Sequence, residues 1–344
     1  MNILSSLADQ GFLPDSLIRF GIRRLDRQRL KSERPSTARD QKDRRERFID
    51  LMRNSPVAVV PEKANEQHYE VPPAFFRTVL GKHLKYSGCM WDGEIHDLDE
   101  AETRMLAVTT ERAELVDGMD ILELGSGWGS LTLWMAEKFP ASQITTVSNS
   151  RYQGDFIRKV CRERSIFNVS HITADMNTFD IDDRFDRVVS VEMFEHMRNW
   201  PLLLSRIDSW LKPEGKMFIH IFTHKTHAYL FEDEGDDNWM GRHFFSGGMM
   251  PADDLLYDLQ QDLVIEKHWQ VNGVHYSKTA EAWLENLDRR KSRVIPILSE
   301  VYGPKAASIW FQRWRIFFMA CAELWGFRNG NEWLVSHYLL QKKH

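Results

Sequence analysis

The sequence predicts an α/β fold: a doubly wound, mostly parallel sheet with helices ahead of it and a helical lid. Ile121, Leu122 and Leu124 form the apolar run of a strand covered on both faces, and Gly125, Gly127 and Gly129 turn it into the helical spacing of Ser130 to Phe139. Further strand and helix patterns alternate behind this unit, as a parallel sheet requires. With 344 residues and 42% apolar content, the chain can hold one large domain or a catalytic domain with additions.

Residues 1–66 read as an N-terminal helical extension and 67–344 as the catalytic domain, with a lid insertion around 225–255 and an aromatic C-terminal segment. Arg19 to Arg53 is dense in arginine and lysine, which reads as a solvated helical face, and Ser32 to Arg47 is the expected mobile stretch. After the first strand and helix, Gln143 to Val147 gives a second strand ending in Ser148-Asn149-Ser150, followed by a helix over Asp155 to Arg164. Ser170 to Asp175 gives a third strand that ends in an acid, and Phe185 to Val191 a fourth. Trp210 to Ile221 supplies a helix end, a turn at Pro213 and Gly215, and a fifth strand. Trp239 and Met240 precede HFFSGGMMP, whose paired Gly247 and Gly248 suggest a mobile cover over a cleft. The aromatics from Trp310 to Trp333 read mainly as core, with some of them walling an acceptor pocket.

The formal charge of -5 does not suggest a nucleic-acid partner. The opening MNILSSLADQGFLPDSLI is broken by Asp9, Gly11, Pro14 and Asp15, too early for a signal peptide or membrane span, so a cytoplasmic protein is expected. Cys89, Cys161 and Cys321 show neither disulfide nor metal-ligand spacing, and no metal is expected. A weak membrane-surface contact through the basic N-terminal region and a homodimer both stay open.

The glycine turn leaves room for a ligand at the backbone and aims helix amides at it. A dinucleotide fold would carry G-x-G-x-x-G and an acidic ribose anchor on the next strand. Here the third glycine comes one residue early and the neutral Asn149 stands at that tip, while Asp175 is placed to meet an adenine amine. This order of groups resembles the S-adenosylmethionine-dependent methyltransferases, whose cofactor lies across the carboxyl ends of the sheet. Just after the fourth strand, VEMFEHM sets Glu192, Glu195 and His196 beside that cleft, where helical geometry would put Glu192 on one face with both others. A protonated amine must lose a proton before it can take a methyl group, so local proton acceptors suit N-methylation.

HYEVPPAFFRTVLGKHLKYSGCMW at His68 to Trp91, ILELGSGWGSLTLWMAEKFP at Ile121 to Pro140, VEMFEHMRNW at Val191 to Trp200 and HFFSGGMMP at His243 to Pro251 resemble the coclaurine N-methyltransferases, within the wider cyclopropane-fatty-acid synthase group. The likeness continues through NGVHYSKTAEAWL at Asn272 to Leu284. It implies that Ser87, Gly125, Asn149, Gln153 and Asp175 contact S-adenosylmethionine with Met176 beside the adenine; the glycine turn adds Gly127 to the cofactor-binding set. It also implies that Glu192, Glu195 and His196 form the acid-base group. In the cyclopropane synthases, residues matching Glu195, His220 and Tyr276 hold a bicarbonate together with a cysteine. That cysteine is missing here, where Tyr86-Ser87-Gly88 stands in its segment and Cys89 is displaced by one position. The preferred reading is therefore an N-methyltransferase for a small, aromatic or benzylisoquinoline-like amine. Carbon methylation of an unsaturated lipid chain, of the cyclopropane-fatty-acyl-phospholipid synthase type, is the alternative.

Overall fold

The computed structural model describes residues 3–59, 71–231 and 239–343. The expected domain boundary near Gln67, the start of the His68 to Trp91 segment and part of the lid insertion lie outside the described residues.

Three helices lead the chain, α1 (Ile3–Asp9), α2 (Asp15–Glu33) and α3 (Ala38–Arg53), followed by α4 (Pro73–Val79) and α5 (Leu98–Arg112). The alternating part then runs β1 (Asp120–Leu124), α6 (Ser130–Lys138), β2 (Gln143–Ser148), α7 (Arg151–Glu163), β3 (Val169–Thr173), β4 (Phe185–Val191), α8 (Trp200–Trp210) and β5 (Leu211–His224). Among the described residues, short β6 (Tyr229–Leu230), α9 (Trp239–His243) and β7 (Met249–Met250) lie in the insertion. The chain closes with β8 (Leu263–Val271), α10 (Val274–Arg289), α11 (Lys291–Tyr302), α12 (Ala307–Gly326) and β9 (Trp333–Lys342).

Seven strands form one sheet in the order β3-β2-β1-β4-β5-β9-β8. β1 to β5 pair in parallel, and β9 enters antiparallel between β5 and β8. This is the predicted doubly wound, mostly parallel sheet. Strand order reverses between β1, which leads outward through β2 to β3, and β4 on its other side, and such a switch point opens a crevice at the strands' carboxyl ends.

Ser32 to Arg47 falls mostly within helices, the end of α2 and the start of α3, rather than in an irregular linker. Thr37 caps α3 by accepting from the Asp40 amide at 3.1 Å, and Ile49 and Met52 bury its apolar face in the core that holds Trp200 and Leu203 of α8. Much of the basic surface is also tied down within the chain. Arg19 reaches Glu281 at 2.6 Å and Glu323 at 3.0 Å, Arg23 reaches Glu323 at 2.8 Å, and Arg45 bridges Asp254 and Asp258. These pairings leave fewer cations free for a lipid surface. No described helix is long and apolar enough to cross a membrane. The aromatic segment is largely core: Trp314 and Phe318 of α12 and Trp333 of β9 are fully buried.

β1 carries one acid into the core that sequence reading passed over. Glu123 lies between Thr132 and Thr146, both of whose hydroxyls donate to its Oε2, the latter at 3.0 Å. Burial pushes its carboxyl from 4.5 up to about 7. The folded chain thus keeps a proton between those values that the unfolded chain releases, so this group's contribution to stability is complete below about 4.5 and is lost as pH rises to about 7. Glu123→Gln removes that dependence. In thermal melts at pH 5 and pH 8, the variant's melting temperature relative to the native chain should shift upward at the higher pH; a shift downward would mean that Glu123 is ionised in the fold.

Candidate active site

The glycine turn is built by positive backbone angles. Gly125, Gly127 and Gly129 have φ of 87°, 50° and 79°, a region that L side chains rarely enter, and the Gly125 and Ser126 amides donate to the Val147 carbonyl at 2.9 and 3.2 Å. A Cβ on Gly125 would lie 2.7 Å from the Met193 Cβ, so the turn packs directly on the loop after β4. Beyond β2, Ser150 caps α7 through the Gln153 amide at 3.4 Å and thereby sets Gln153 in the helix's first turn. Two residues past β3, Asp175 Oδ1 accepts from the Asn177 amide at 2.9 Å, and Met176 is nearly buried.

These strand ends border one cleft that opens to solvent. Of the residues singled out from the sequence, Gly125, Gly127, Asn149, Gln153, Asp175, Met176 and His196 line it. Ser87, Glu192 and Glu195 do not, and each of the three is buried or nearly so. Sequence reading missed Ala58, Met197 and Ser246 as lining residues. Ser246 at least lies in the segment assigned to the cover. Ala58 arrives from the N-terminal region, held by Asn177, which accepts from its amide and donates to its carbonyl, both at 3.0 Å; nothing local in the sequence announces that contact.

The expected helical face of Glu192, Glu195 and His196 does not form. Glu192 has φ +46° and precedes a single 3₁₀ turn, Phe194–His196. Its amide donates to the His220 carbonyl at 2.8 Å, which extends the β4–β5 pairing by one residue and swings the side chain inward. There its carboxylate accepts from the Gly88 amide at 2.9 Å and the Tyr276 hydroxyl at 2.7 Å, and lies 3.3 Å from His220 Nε2. His220 and Tyr276 therefore converge on a carboxylate supplied by the chain itself.

Lys85, buried below this turn, donates to the Gly88 carbonyl at 2.9 Å and to the Ser87 hydroxyl. The Glu102 carboxylate orders the approach, accepting from the amides of Gly81, His83 and Lys85 at 3.0, 2.7 and 3.2 Å. Neither Lys85 nor Glu102 carries a local sequence signal, because both act on backbone atoms of a turn.

Burial raises the Glu192 carboxyl, opposed by the Lys85 charge and its own hydrogen bonds. Glu195 is pushed well above the usual range by burial and by the neighbouring Glu192. Burial lowers His196 to about 4 despite Glu192, leaving a neutral ring. Phe245 stacks on that ring at 4.7 Å between centroids, and Phe222 links Phe245 to Trp325, which stacks on Tyr276 at 4.0 Å.

Residues 60–335 match the profile of the mycolic acid cyclopropane synthetase family. The chain belongs to that family. It is 36% identical over 337 residues to (S)-coclaurine N-methyltransferase of Thalictrum flavum subsp. glaucum, covering 97% of this chain and 93% of that one. The solved coclaurine N-methyltransferase bound to N-methylheliamine and SAH superposes with a TM-score of 0.95 at 33% identity, over 98% of this chain and 99% of that one. A cyclopropane synthase of Mycobacterium tuberculosis shares the fold, with a TM-score of 0.69 at 20% identity over 81% of this chain and 98% of that one. This member of the family is an S-adenosylmethionine-dependent methyltransferase.

The cleft suits that cofactor on its own terms. Gln153 is 1% exposed and lines the cleft, yet its Nε2 has no hydrogen-bond partner among the described residues. A buried donor of this kind fits a polar ligand that supplies the acceptor. Gly125→Ala should weaken S-adenosylmethionine binding by at least about tenfold in calorimetric titration, because the methyl group meets Met193 and the backbone angle is strained. Unchanged affinity would detach the glycine turn from the cofactor.

Proposed function

We propose that this chain methylates the nitrogen of a small aromatic amine of benzylisoquinoline-like shape, in the cytoplasm. The observation that carries the reading is the Glu192 carboxylate, held by Gly88, Tyr276 and His220. Resemblance to the cyclopropane synthases assigns His220 and Tyr276 to a bound bicarbonate; here an internal carboxylate sits where they meet, and the chain needs no external one there. An anchored carboxylate attracts a cationic amine and, with the neutral His196, gives its proton somewhere to go. The aromatic set of Phe245, Phe222, Trp325 and Tyr276 supports a flat acceptor, since ring faces favour both an aromatic amine and the cation made on methylation. The three unpaired, buried cysteines suit a reducing compartment.

S-adenosylmethionine, when bound, supplies an electrophilic methyl group on a sulfonium. Gly125, Gly127, Asn149, Gln153, Asp175 and Met176 would hold it in the cleft, which Ser87 does not line. Glu192 then orients the amine and, with His196, takes up the proton that the nitrogen must lose; Glu195, pushed well above the usual carboxyl range by burial and by Glu192, favours the uncharged form beside it. Overall, a secondary amine exchanges its N–H for N–CH3 and one proton leaves with the demethylated cofactor.

Glu192→Gln and His196→Ala should each lower turnover by about 10²-fold, a general-base effect, while S-adenosylmethionine affinity stays within about threefold. Methyl-labelled cofactor offered with an amine panel and with phospholipid vesicles decides the acceptor class. Label in the amines is expected; label confined to the lipid would overturn the reading.

A further inference from the structure

The turn that feeds a donor to Glu192 carries a buried cation of its own. Lys85 is 2% exposed, and its ammonium donates to the Gly88 carbonyl at 2.9 Å and to the Ser87 hydroxyl, so it grips the chain on either side of the Gly88 N–H. That N–H is the one that donates to Glu192 Oε1 at 2.9 Å. Every step from the ammonium to the carboxylate is therefore a covalent bond or a hydrogen bond. The turn is fixed on its other sides as well. A Cβ on Gly88 would lie 3.1 Å from the Tyr276 ring, the Cys89 amide donates to the Thr279 hydroxyl at 3.2 Å, and the Lys85 amide donates to Glu102 Oε1 at 3.2 Å.

Most titratable groups facing this pair favour their uncharged forms. Burial raises the thiols of Cys89 and Cys321 and the Tyr276 hydroxyl, and it lowers the rings of His196 and His220. Glu195 is raised by burial and by Glu192, and burial brings Glu102 up to about 7. Lys85 supplies the positive charge. Burial raises the Glu192 carboxyl; the Lys85 charge comes next and acts downward, ahead of the Gly88 and Tyr276 hydrogen bonds. Burial lowers the Lys85 ammonium in turn, opposed by Cys89, Glu192 and Glu102. Each buried charge thus favours the other, as an ion taken out of water requires.

We propose that Lys85 is a positioning residue for Glu192: its ammonium clamps the Ser87-Gly88 turn so that the Gly88 amide stays aimed at the carboxylate, and its charge is that carboxylate's buried counter-ion. The role is indirect, since Lys85 does not line the cleft. It rests on the reading above, in which Glu192 serves the amine. An ionised Glu192 can accept a proton and a protonated one cannot, so Lys85 sets how far into the acid range the enzyme works.

Lys85→Met removes clamp and charge together. Loss of the nearby cation raises the Glu192 carboxyl, so the acid-side midpoint of kcat against pH, with amine and S-adenosylmethionine saturating, should move up by about one pH unit. The acceptor's own ionisation is common to both enzymes and cancels in the comparison. Below the midpoint kcat should fall about tenfold, and the gap should narrow as pH rises. Lys85→Arg, which restores a cationic donor, should bring the midpoint back towards the native value. An unmoved midpoint in Lys85→Met, or a loss equal at every pH, would overturn the proposal. A second measurement needs neither an acceptor nor a change at Lys85. In protein labelled with ¹⁵N-lysine, with the Lys85 signal assigned through Lys85→Arg, Glu192→Gln should lower the pH at which Lys85 loses its proton by about one pH unit, because the coupling is mutual. An unchanged Lys85 titration would overturn the counter-ion role even if amine methylation holds. A lowered one in a chain that methylates no amine would support that role and count against the proposed substrate.

Discussion

A carboxylate taken out of water must find donors or lose its charge, and Glu192 finds them in three places far apart in the chain: the Gly88 amide, the Tyr276 hydroxyl and His220. Meeting that demand brings the turn before α5, the strand β5 and the helix α10 together around the end of β4. The positive φ at Glu192 belongs to the same demand. It costs on the order of 1–3 kcal/mol for a residue with a side chain, and it persists because the surrounding contacts over-determine it. Lys85 beneath the Ser87-Gly88 turn completes the arrangement by bringing a cation into the same buried region.

The same constraint separates two neighbouring acids. Glu192 has donors and the Lys85 charge nearby, whereas Glu195 faces burial and Glu192 itself, and its Oε2 has no partner among the described residues. Burial raises both carboxyls, but Glu192 is held down by its donors and by Lys85 whereas Glu195 is pushed up further by Glu192. Two acids three residues apart in the sequence read as equivalent; only the surroundings tell them apart.

What was legible in the sequence follows from how local each feature is. The glycine turn, the neutral Asn149 and the acid at Asp175 were readable because backbone angle and strand position are set by adjacent residues, and all of them line one cleft. Glu192 was found but misplaced: helical spacing assumed a helix where one 3₁₀ turn follows a left-handed residue. Ser32 to Arg47 looked like a linker from charge alone, yet most of it is helical, with Ile49 and Met52 giving α3 a buried stripe and Thr37 a cap. Ala58, Lys85 and the pairing of His220 with His337 were not legible, since each depends on which distant segments lie side by side.

The aromatic C-terminal segment shows how one stretch divides its work. Trp314 and Phe318, on the interior of α12, are fully buried and pack on Phe75 and Trp283, so they hold helices together. Trp325, near the end of the same helix, stacks on Tyr276, whose hydroxyl binds Glu192. Its ring therefore steadies a donor to the buried carboxylate and, through Phe222 and Phe245, joins an aromatic series that ends on His196. Changing Trp325 would consequently disturb Tyr276 as well as packing. Core and candidate site meet in this ring, which is why an apolar stripe in the sequence could be read as core and still conceal a part of the candidate site.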